Sequence, residues 1–399
     1  MSERRVVVTG LGPVTPLGVG REAFWRAALE GTDCSHEVER FDTSMYKVHR
    51  ACEVRGFEAP ALEGGSGPAA RLATAAARLA LEDAGLSPGL ERCGVVFGTT
   101  GGEIPVLEGL HRLERAEGED ALPRDEFLHY PCHRIAAQVG RALALEGPNQ
   151  VVPTACAAGN YALATARDWL RDGRCERVVA GGVDPLSIVT FTGFGRMFAI
   201  APDHCRPFDK NRKGILPGEG AAALVLETLE GARARGATIL AEVRGVGFSC
   251  DAHHPTMPHP EGVGIQLAMR RALSDAACAP EAVDYVSAHG TGTPANDRIE
   301  SAAIHAVFGA HAAKLPVSSM KSMIGHTMGA ASAIEACACV QAIQEGAVPP
   351  TIHHEEPDPE CAIDVVPNVA RELPVEVALN NAWAFGGNNC CVLFGKVEA

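Results

Sequence analysis

The chain has 399 residues, a formal net charge of −14 at neutral pH, 46% hydrophobic and 21% charged residues. That length exceeds what one hydrophobic core sustains, so two cores or two fused halves are expected. The negative charge speaks against nucleic acid or an anionic membrane surface as a partner. No apolar run reaches membrane-spanning length, and Met1-Ser2-Glu3-Arg4-Arg5 leads directly into a strand, which predicts neither signal peptide nor anchor and a cytoplasmic location.

Taken in order, Arg5 to Gly10 reads as a strand entering a glycine turn at Gly10-Leu11-Gly12. Pro13 and Pro16 occupy the places where a dinucleotide-binding turn and helix start would need to be, so that fingerprint is rejected. A helix is predicted over 22–29 and another over 69–84, with Gly85 past its end. Gly94 to Gly98 is a buried strand, Glu103 to Arg124 a polar, exposed insertion, and His133 to Leu145 a helix. The run Val151-Val152-Pro153-Thr154-Ala155-Cys156-Ala157-Ala158-Gly159-Asn160 follows: an apolar strand, a tight turn holding Cys156, and a helix of small residues. A thiol there feels the positive end of the helix dipole and unpaired N–H groups, which predicts a lowered pKa and an oxyanion site. The plainer reading of a lone cysteine is a core residue.

Strands over 178–182 and 220–227 complete the first half, predicted as 1–237. The second half, 238–399, offers strands at 239–245, 283–288, 315–319, 377–379 and 389–394, with helices at 264–277 and 297–308. Strands alternating with helices predict an α/β layered fold with mainly parallel sheets. Pro316 to Ala333 repeats the pattern of the Cys156 run, strand and turn into a small-residue helix, so two such helices are expected to pack backbone to backbone at the centre of a pseudo-symmetric fold. The 14 cysteines contain no CxxC pair, and no histidine spacing suggests zinc, so neither disulfides nor a metal are expected.

Three glycine-rich turns in the second half carry polar residues directly after apolar strands: Ser287 to Pro294 with His289, Ser319 to His326 with Lys321 and His326, and Asn380 to Asn388 with Phe385, Gly386 and Gly387. Ligands in α/β folds collect at the carboxyl ends of strands, where such turns lie. A single histidine there could be a satisfied core residue; two with a cysteine, each at the same point of its unit, suggest chemistry.

Thr154-Ala155-Cys156, Ala288-His289-Gly290-Thr291-Gly292-Thr293, Lys321-Ser322-Met323-Ile324-Gly325-His326 and Phe385-Gly386-Gly387-Asn388 together resemble the β-ketoacyl-[acyl carrier protein] synthases of the thiolase-like condensing-enzyme superfamily, closest to synthase II, along essentially the whole chain. The resemblance implies a thiolase-like fold of five layers, α-β-α-β-α. It also implies a decarboxylative Claisen condensation of malonyl-carrier protein with an acyl group on Cys156, in fatty-acid or type II polyketide biosynthesis. By the same resemblance His289 and His326 stabilise the enolate, Lys321 is an orienting charge paired with Glu335, and the backbone N–H groups of Cys156 and Phe385 form the oxyanion site. Phe385 with Gly386 and Gly387 forms the gate, Thr291, Thr293 and Thr256 meet the phosphopantetheine arm, and Gly101, Tyr130 and Phe194 belong to the acyl pocket. No cofactor is implied; the substrates ride on an acyl carrier protein, and the assembly is a homodimer or a heterodimer with a chain-length partner.

This sequence departs from its relatives before Ala69, where Glu63 to Pro68 replaces a Lys/Arg-rich helix; either docking relies on Arg206, Lys210, Arg212 and Lys213, or the usual carrier is not the partner. Gly101, Glu103 and Arg196-Met197-Phe198 alter the region of the acyl tunnel and point to an unusual acyl chain. Two other readings are carried: a non-catalytic subunit, which would lack the nucleophile, and a degradative thiolase, which would need a second catalytic cysteine.

Overall fold

The computed structural model describes residues 4–397; Met1-Ser2-Glu3, on which the expectation of no leader partly rests, lies outside the described residues. No helix among them is long and apolar enough to cross a membrane.

Ten strands form the framework: β1 (Val6–Thr15), β2 (Cys93–Gly98), β3 (Asn149–Val152), β4 (Arg177–Asp184), β5 (Gly220–Thr228), β6 (Ala241–Cys250), β7 (Tyr285–Ser287), β8 (Val317–Ser318), β9 (Val377–Trp383) and β10 (Asn388–Gly395). Their order across the sheet is β8-β7-β9-β10-β6-β1-β5-β4-β2-β3. Counted outward from the middle, both halves run first strand, fifth, fourth, second, third, so the two halves share one topology, and their strands pair with one another only where β1 meets β6 at Val7–Glu242 and Val8–Ala241. The expectation of mainly parallel sheets is corrected. Parallel pairing is confined to β3-β2-β4 and to β8-β7-β9, and the inner strands are antiparallel. The four residues between β9 and β10 are the clearest cause, because a connection that short can only return the chain antiparallel.

The helices are α1 (Arg21–Leu29), α2 (Pro68–Asp83), α3 (Ile104–Glu117), α4 (Arg134–Ala142), α5 (Ala158–Arg171), α6 (Ile188–Arg196), α7 (Leu229–Ala234), α8 (Val263–Asp275), α9 (Pro294–Phe308), α10 (Lys321–Ile324) and α11 (Ala331–Glu345). Three apolar cores divide the layers. Leu72, Ala76 and Leu81 of α2 with Ile135 and Val139 of α4 cover the outside of the first half-sheet. Ile265, Met269, Ile299 and Ile304 of α8 and α9 cover the outside of the second. Between the two half-sheets Leu163, Ala166, Ile334 and Ala338 of α5 and α11 fill the centre, which gives five layers.

The first strand was expected to end in a turn at Gly10-Leu11-Gly12; instead β1 runs through it to Thr15, entirely buried. These glycines serve contact with α2 rather than a bend. A Cβ on Gly12 would stand 2.0 Å from the Ala76 carbonyl oxygen, so the helix can lie this close only over bare backbone. The same device operates at the centre. A Cβ on Gly159 of α5 would stand 2.6 Å from the Ala333 nitrogen of α11, and the Asn160 N–H donates to Ser332 Oγ at 3.0 Å. The segment from Glu103 is also not wholly an exposed insertion. α3 buries only Leu110, but Glu103 itself is buried, and its carboxylate accepts the Ala69 and Ala70 N–H groups at the start of α2.

Gly159→Val should therefore force α5 and α11 apart. The expected loss is at least about 2 kcal/mol of unfolding free energy in urea, together with loss of alkylation at Cys156; a variant as stable as the parent would show that the two helices can separate freely.

Candidate active site

Cys156 sits in a single turn, Ala155–Ala157, between β3 and α5. Ala155 before it is held at φ +48°, a conformation costly for a residue with a Cβ, so the surrounding packing enforces the turn that presents the sulfur. Three turns of the second half close around it. His326 Nε2 lies 3.1 Å from Cys156 Sγ, and His289 stands with its ring centroid 5.5 Å from that of His326, nearly perpendicular. The backbone N–H of Phe385 is directed at the same sulfur. These residues, with Phe194, Thr256, Thr291, Thr293, Met257 and Trp383, line one cavity of about 250 Å³. A larger depression of about 1000 Å³, lined by Arg21, Asp83, Gln341 and Arg371 among others, contains no nucleophile, so chemistry rather than size identifies the site.

The Met328 N–H donates to His326 Nδ1 at 3.1 Å, so the neutral ring carries its proton on Nε2, the nitrogen facing the sulfur. Both imidazoles are held well below the ordinary histidine value, first by burial and then by the Lys321 charge, to which His326 adds for His289. They are therefore neutral N–H bearers at neutral pH. Lys321 is completely buried and its Nζ is bonded to the Glu335 carboxylate, likewise buried. Burial raises Glu335 to about 7 against the pull of Lys321.

The lowered thiol pKa expected from the helix terminus is corrected. Burial pushes Cys156 up to about 11, and the Lys321 charge and the Phe385 N–H only partly offset it. A sulfur with 6% exposure loses more hydration as a thiolate than one dipole and two donors return.

Of the other expected site residues, Thr291 and Thr293 meet through their hydroxyls at 3.0 Å, and Thr293 also caps α9 by accepting the Asn296 N–H. Thr256 lines the cavity and donates its N–H to His254 Nδ1. Gly386 and Gly387 both have positive φ, +82° and +78°, in the turn from β9 to β10. Phe385 is 38% exposed and packs on Phe194 at 5.9 Å between ring centroids. Gly101 and Tyr130 do not line this cavity. The Gly101 N–H is bound to Asp184, and Tyr130 is 42% exposed on the surface.

Three carboxylates that no motif in the sequence singles out hold the turns in place. Glu300 of α9 accepts the N–H groups of His289 and Gly290 at 2.8 Å each. Asp297 accepts those of Phe208 and Gly292. Asp184, at the end of β4, accepts the N–H groups of Thr100, Gly101 and Gly329 and the Thr99 hydroxyl. The available signal for Asp184 was an acid directly after the apolar run Val178–Val183, the same strand-end position that marks the histidine turns.

Three of the four basic residues assigned to docking are engaged in ion pairs. Arg212 is buried and bound to Asp358, Arg206 pairs with Asp203 and Glu355, and Lys210 pairs with Glu356; Lys213 alone of the four is exposed without an ion pair among the described residues. Short acidic stretches folded beside these cations, which sequence distance concealed, take up their charge.

Comparison with known proteins agrees with this geometry. Residues 3–232 match the N-terminal domain and residues 240–355 the C-terminal domain of the β-ketoacyl synthase family. Among curated relatives, nodulation protein E of Rhizobium sp. (strain N33) is 41% identical over 99% of this chain and its own full length. The 3-oxoacyl-[acyl-carrier-protein] synthase 2 of Synechocystis sp. is 38% identical over all of this chain and 99% of the relative. Among solved structures, the ishigamide ketosynthase/chain length factor matches with TM-score 0.95 at 43% identity, and a type II polyketide ketosynthase in complex with its acyl-carrier protein with TM-score 0.93 at 31% identity, each over the full length of both chains. A thiolase-like fold that seats a cysteine against two neutral imidazoles thus agrees with full-length similarity to the condensing enzymes, and the chain belongs to the β-ketoacyl synthase family, acyl-transferring condensing enzymes of fatty-acid or type II polyketide synthesis.

Proposed function

We propose that Cys156 carries the acyl chain and that the cavity above it runs both halves of the condensation. The contact of His326 Nε2 with Cys156 Sγ, with the Phe385 N–H on the same sulfur, carries this reading. In the first half, the sulfur attacks the acyl thioester carbonyl and the backbone N–H groups of Cys156 and Phe385 receive the oxyanion; the tetrahedral adduct collapses and the pantetheine thiolate leaves, taking up a proton. In the second half, the malonyl thioester loses CO2, and negative charge collects on its thioester oxygen. Neutral imidazoles donate to that oxygen without having given up a proton first, which suits His289 and His326. The enolate carbon then attacks the acyl-Cys156 carbonyl, and the Cys156 thiolate departs.

Lys321 acts at one remove. It is bound to Glu335 rather than directed into the cavity, and its charge reinforces the burial that keeps both imidazoles neutral and draws the thiol down. Thr291, Thr293 and Thr256 offer hydroxyls along the cavity for a pantetheine arm, and Phe385 against Phe194 closes the route to the acyl end. Every electron pair in this scheme comes from the chain or the two thioesters, so the reaction as written requires no cofactor.

The partner is an acyl carrier protein, reached through Lys213 and through Lys210 and Arg206 once these release Glu356 and Glu355. Exposed Phe127, Leu128, Tyr130 and Phe198 favour a second subunit against this face, in a homodimer; the similarity to a ketosynthase/chain length factor favours as a second reading a heterodimer with such a subunit. The chain is taken to divide at 237/238, between α7 and β6, and to act in the cytoplasm. A thiolase is disfavoured because Cys390 and Cys391 lie fully buried inside β10.

Incubation with acyl-loaded carrier protein should add one acyl group to the intact protein by mass spectrometry, and Cys156→Ala should remove the adduct entirely; an adduct surviving the substitution would place the nucleophile elsewhere. Because the resting thiol is raised to about 11, its thiolate fraction grows with pH throughout the neutral range. Iodoacetamide inactivation should therefore rise roughly tenfold per pH unit from about pH 7 to pH 9. A plateau in that range would mean that the thiolate is already formed.

A further inference from the structure

Outside the cavity, Asp33, His204 and His353 come together from three distant segments. Asp33 Oδ1 is engaged by the Ser35 N–H at 2.8 Å, while Oδ2 lies 3.1 Å from His204 Nδ1 and 3.3 Å from His353 Nε2. The imidazoles stack, with centroids 4.2 Å apart and planes 28° from parallel. Both ring nitrogens are buried, and each meets Oδ2 at ion-pair distance outside the angles of a well-formed hydrogen bond. Two imidazole nitrogens and a carboxylate oxygen thus lie within 4.8 Å of one another, with the one carboxylate oxygen shared between both rings.

The 3.3 Å separation of Asp33 Oδ2 from His353 Nε2 is that of two ligands on one ion, and the 3.1 Å separation from His204 Nδ1, also an ordinary hydrogen-bond length, needs only a small shift to reach it. Tetrahedral zinc with bonds of about 2.0–2.2 Å places its ligands about 3.3–3.6 Å apart. Imidazole and carboxylate are ligands suited to the later divalent transition metals, and the side chains keep 20–32% of their exposure, which leaves a coordination position open to water.

We propose that Asp33 Oδ2, His204 Nδ1 and His353 Nε2 form a three-ligand site for a divalent transition-metal ion of the zinc class, with water as fourth ligand. The ion would join segments that back the catalytic turns. The Cys34 N–H donates to the Met323 carbonyl, Ser319 N–H to Thr351 Oγ1, Ile352 N–H to Ser322 Oγ, and the Cys205 thiol contacts the Thr291 carbonyl. The site therefore acts as a staple behind the turns of Lys321 and His289, and it does not depend on the reaction assigned to the cavity.

The test uses full-length Cys156→Ala protein, because Cys156, His289 and His326 also bring three ligand atoms within 4.8 Å. After dialysis against chelator, calorimetric titration with Zn²⁺ should show one equivalent bound and a raised thermal midpoint. His204→Gln with His353→Gln, and Asp33→Asn separately, should each weaken binding by at least on the order of tenfold and abolish the thermal shift. Co²⁺ bound to the Cys156→Ala parent should give four-coordinate ligand-field bands without thiolate charge transfer, a readout that needs no further variant to fold. Absence of stoichiometric binding, undiminished affinity in the variants, or a thiolate charge-transfer band would each overturn the site.

Discussion

Every distance in the active site rests on one contact, the bare-backbone approach of α5 to α11. Cys156 lies two residues before α5 and His326 five before α11, so the separation of the two helices sets the separation of sulfur and imidazole. Interiors are close-packed and do not yield by a few tenths of an ångström without cost. A helix pair at ordinary spacing would hold the two groups farther apart, since side-chain layers normally keep helix axes about 8–10 Å apart. The small residues of Ala157 to Ala164 and Gly329 to Ala338 thus do chemical work through their lack of volume.

The second constraint is electrostatic. One buried cation, Lys321, lies among buried groups that would otherwise be poised ambiguously. It adds to the burial that keeps the imidazoles of His289 and His326 unprotonated and lowers the thiol that burial raises. Glu335 holds that cation in place, and a pair buried this deeply is vulnerable to loss of either member, because the survivor is left uncompensated. Asp184 and Glu300 are buried without an ion-pair partner among the described residues and Asp297 lies beside the buried Arg212, and each accepts two or more backbone N–H donors. The glycine turns cannot form sheet or helix bonds at their bends, so carboxylates take over the role of the missing backbone acceptors.

Much of this was legible in the chain itself. The strand–turn–small-helix grammar at Cys156 and at His326 foretold both the central helix pair and the meeting of the halves. What was not legible depended on tertiary distance. Gly10 and Gly12 read locally as a turn because nothing in sequence shows that α2 will lie across them. The thiol was expected to be acidic from its helix terminus, but burial, a property of the whole fold, outweighs the dipole. Arg206, Lys210 and Arg212 looked available because Glu355, Glu356 and Asp358 lie some 150 residues away in sequence. The paired histidines His353-His354 carried no zinc spacing, since Asp33 and His204 complete that cluster from elsewhere.

The shared strand order of the two halves shows how a nearly symmetric frame hosts an asymmetric reaction. In each half the sheet delivers a turn and a small-residue helix to the same central plane. The first half uses that position for a nucleophile at a strained Ala155-Cys156 turn, the second for a histidine whose Nδ1 is occupied by its own chain two residues on. Symmetry therefore accounts for why the two groups face one another, and local departures from it account for what each can do. The remaining site residues, His289 and Phe385, come from turns that follow β7 and β9 of the second half, so the first half supplies the sulfur and the second nearly all of the donors around it. This division suits the condensation proposed above, in which a single sulfur serves two successive carbonyl reactions while most of the charge it generates is received on the facing wall.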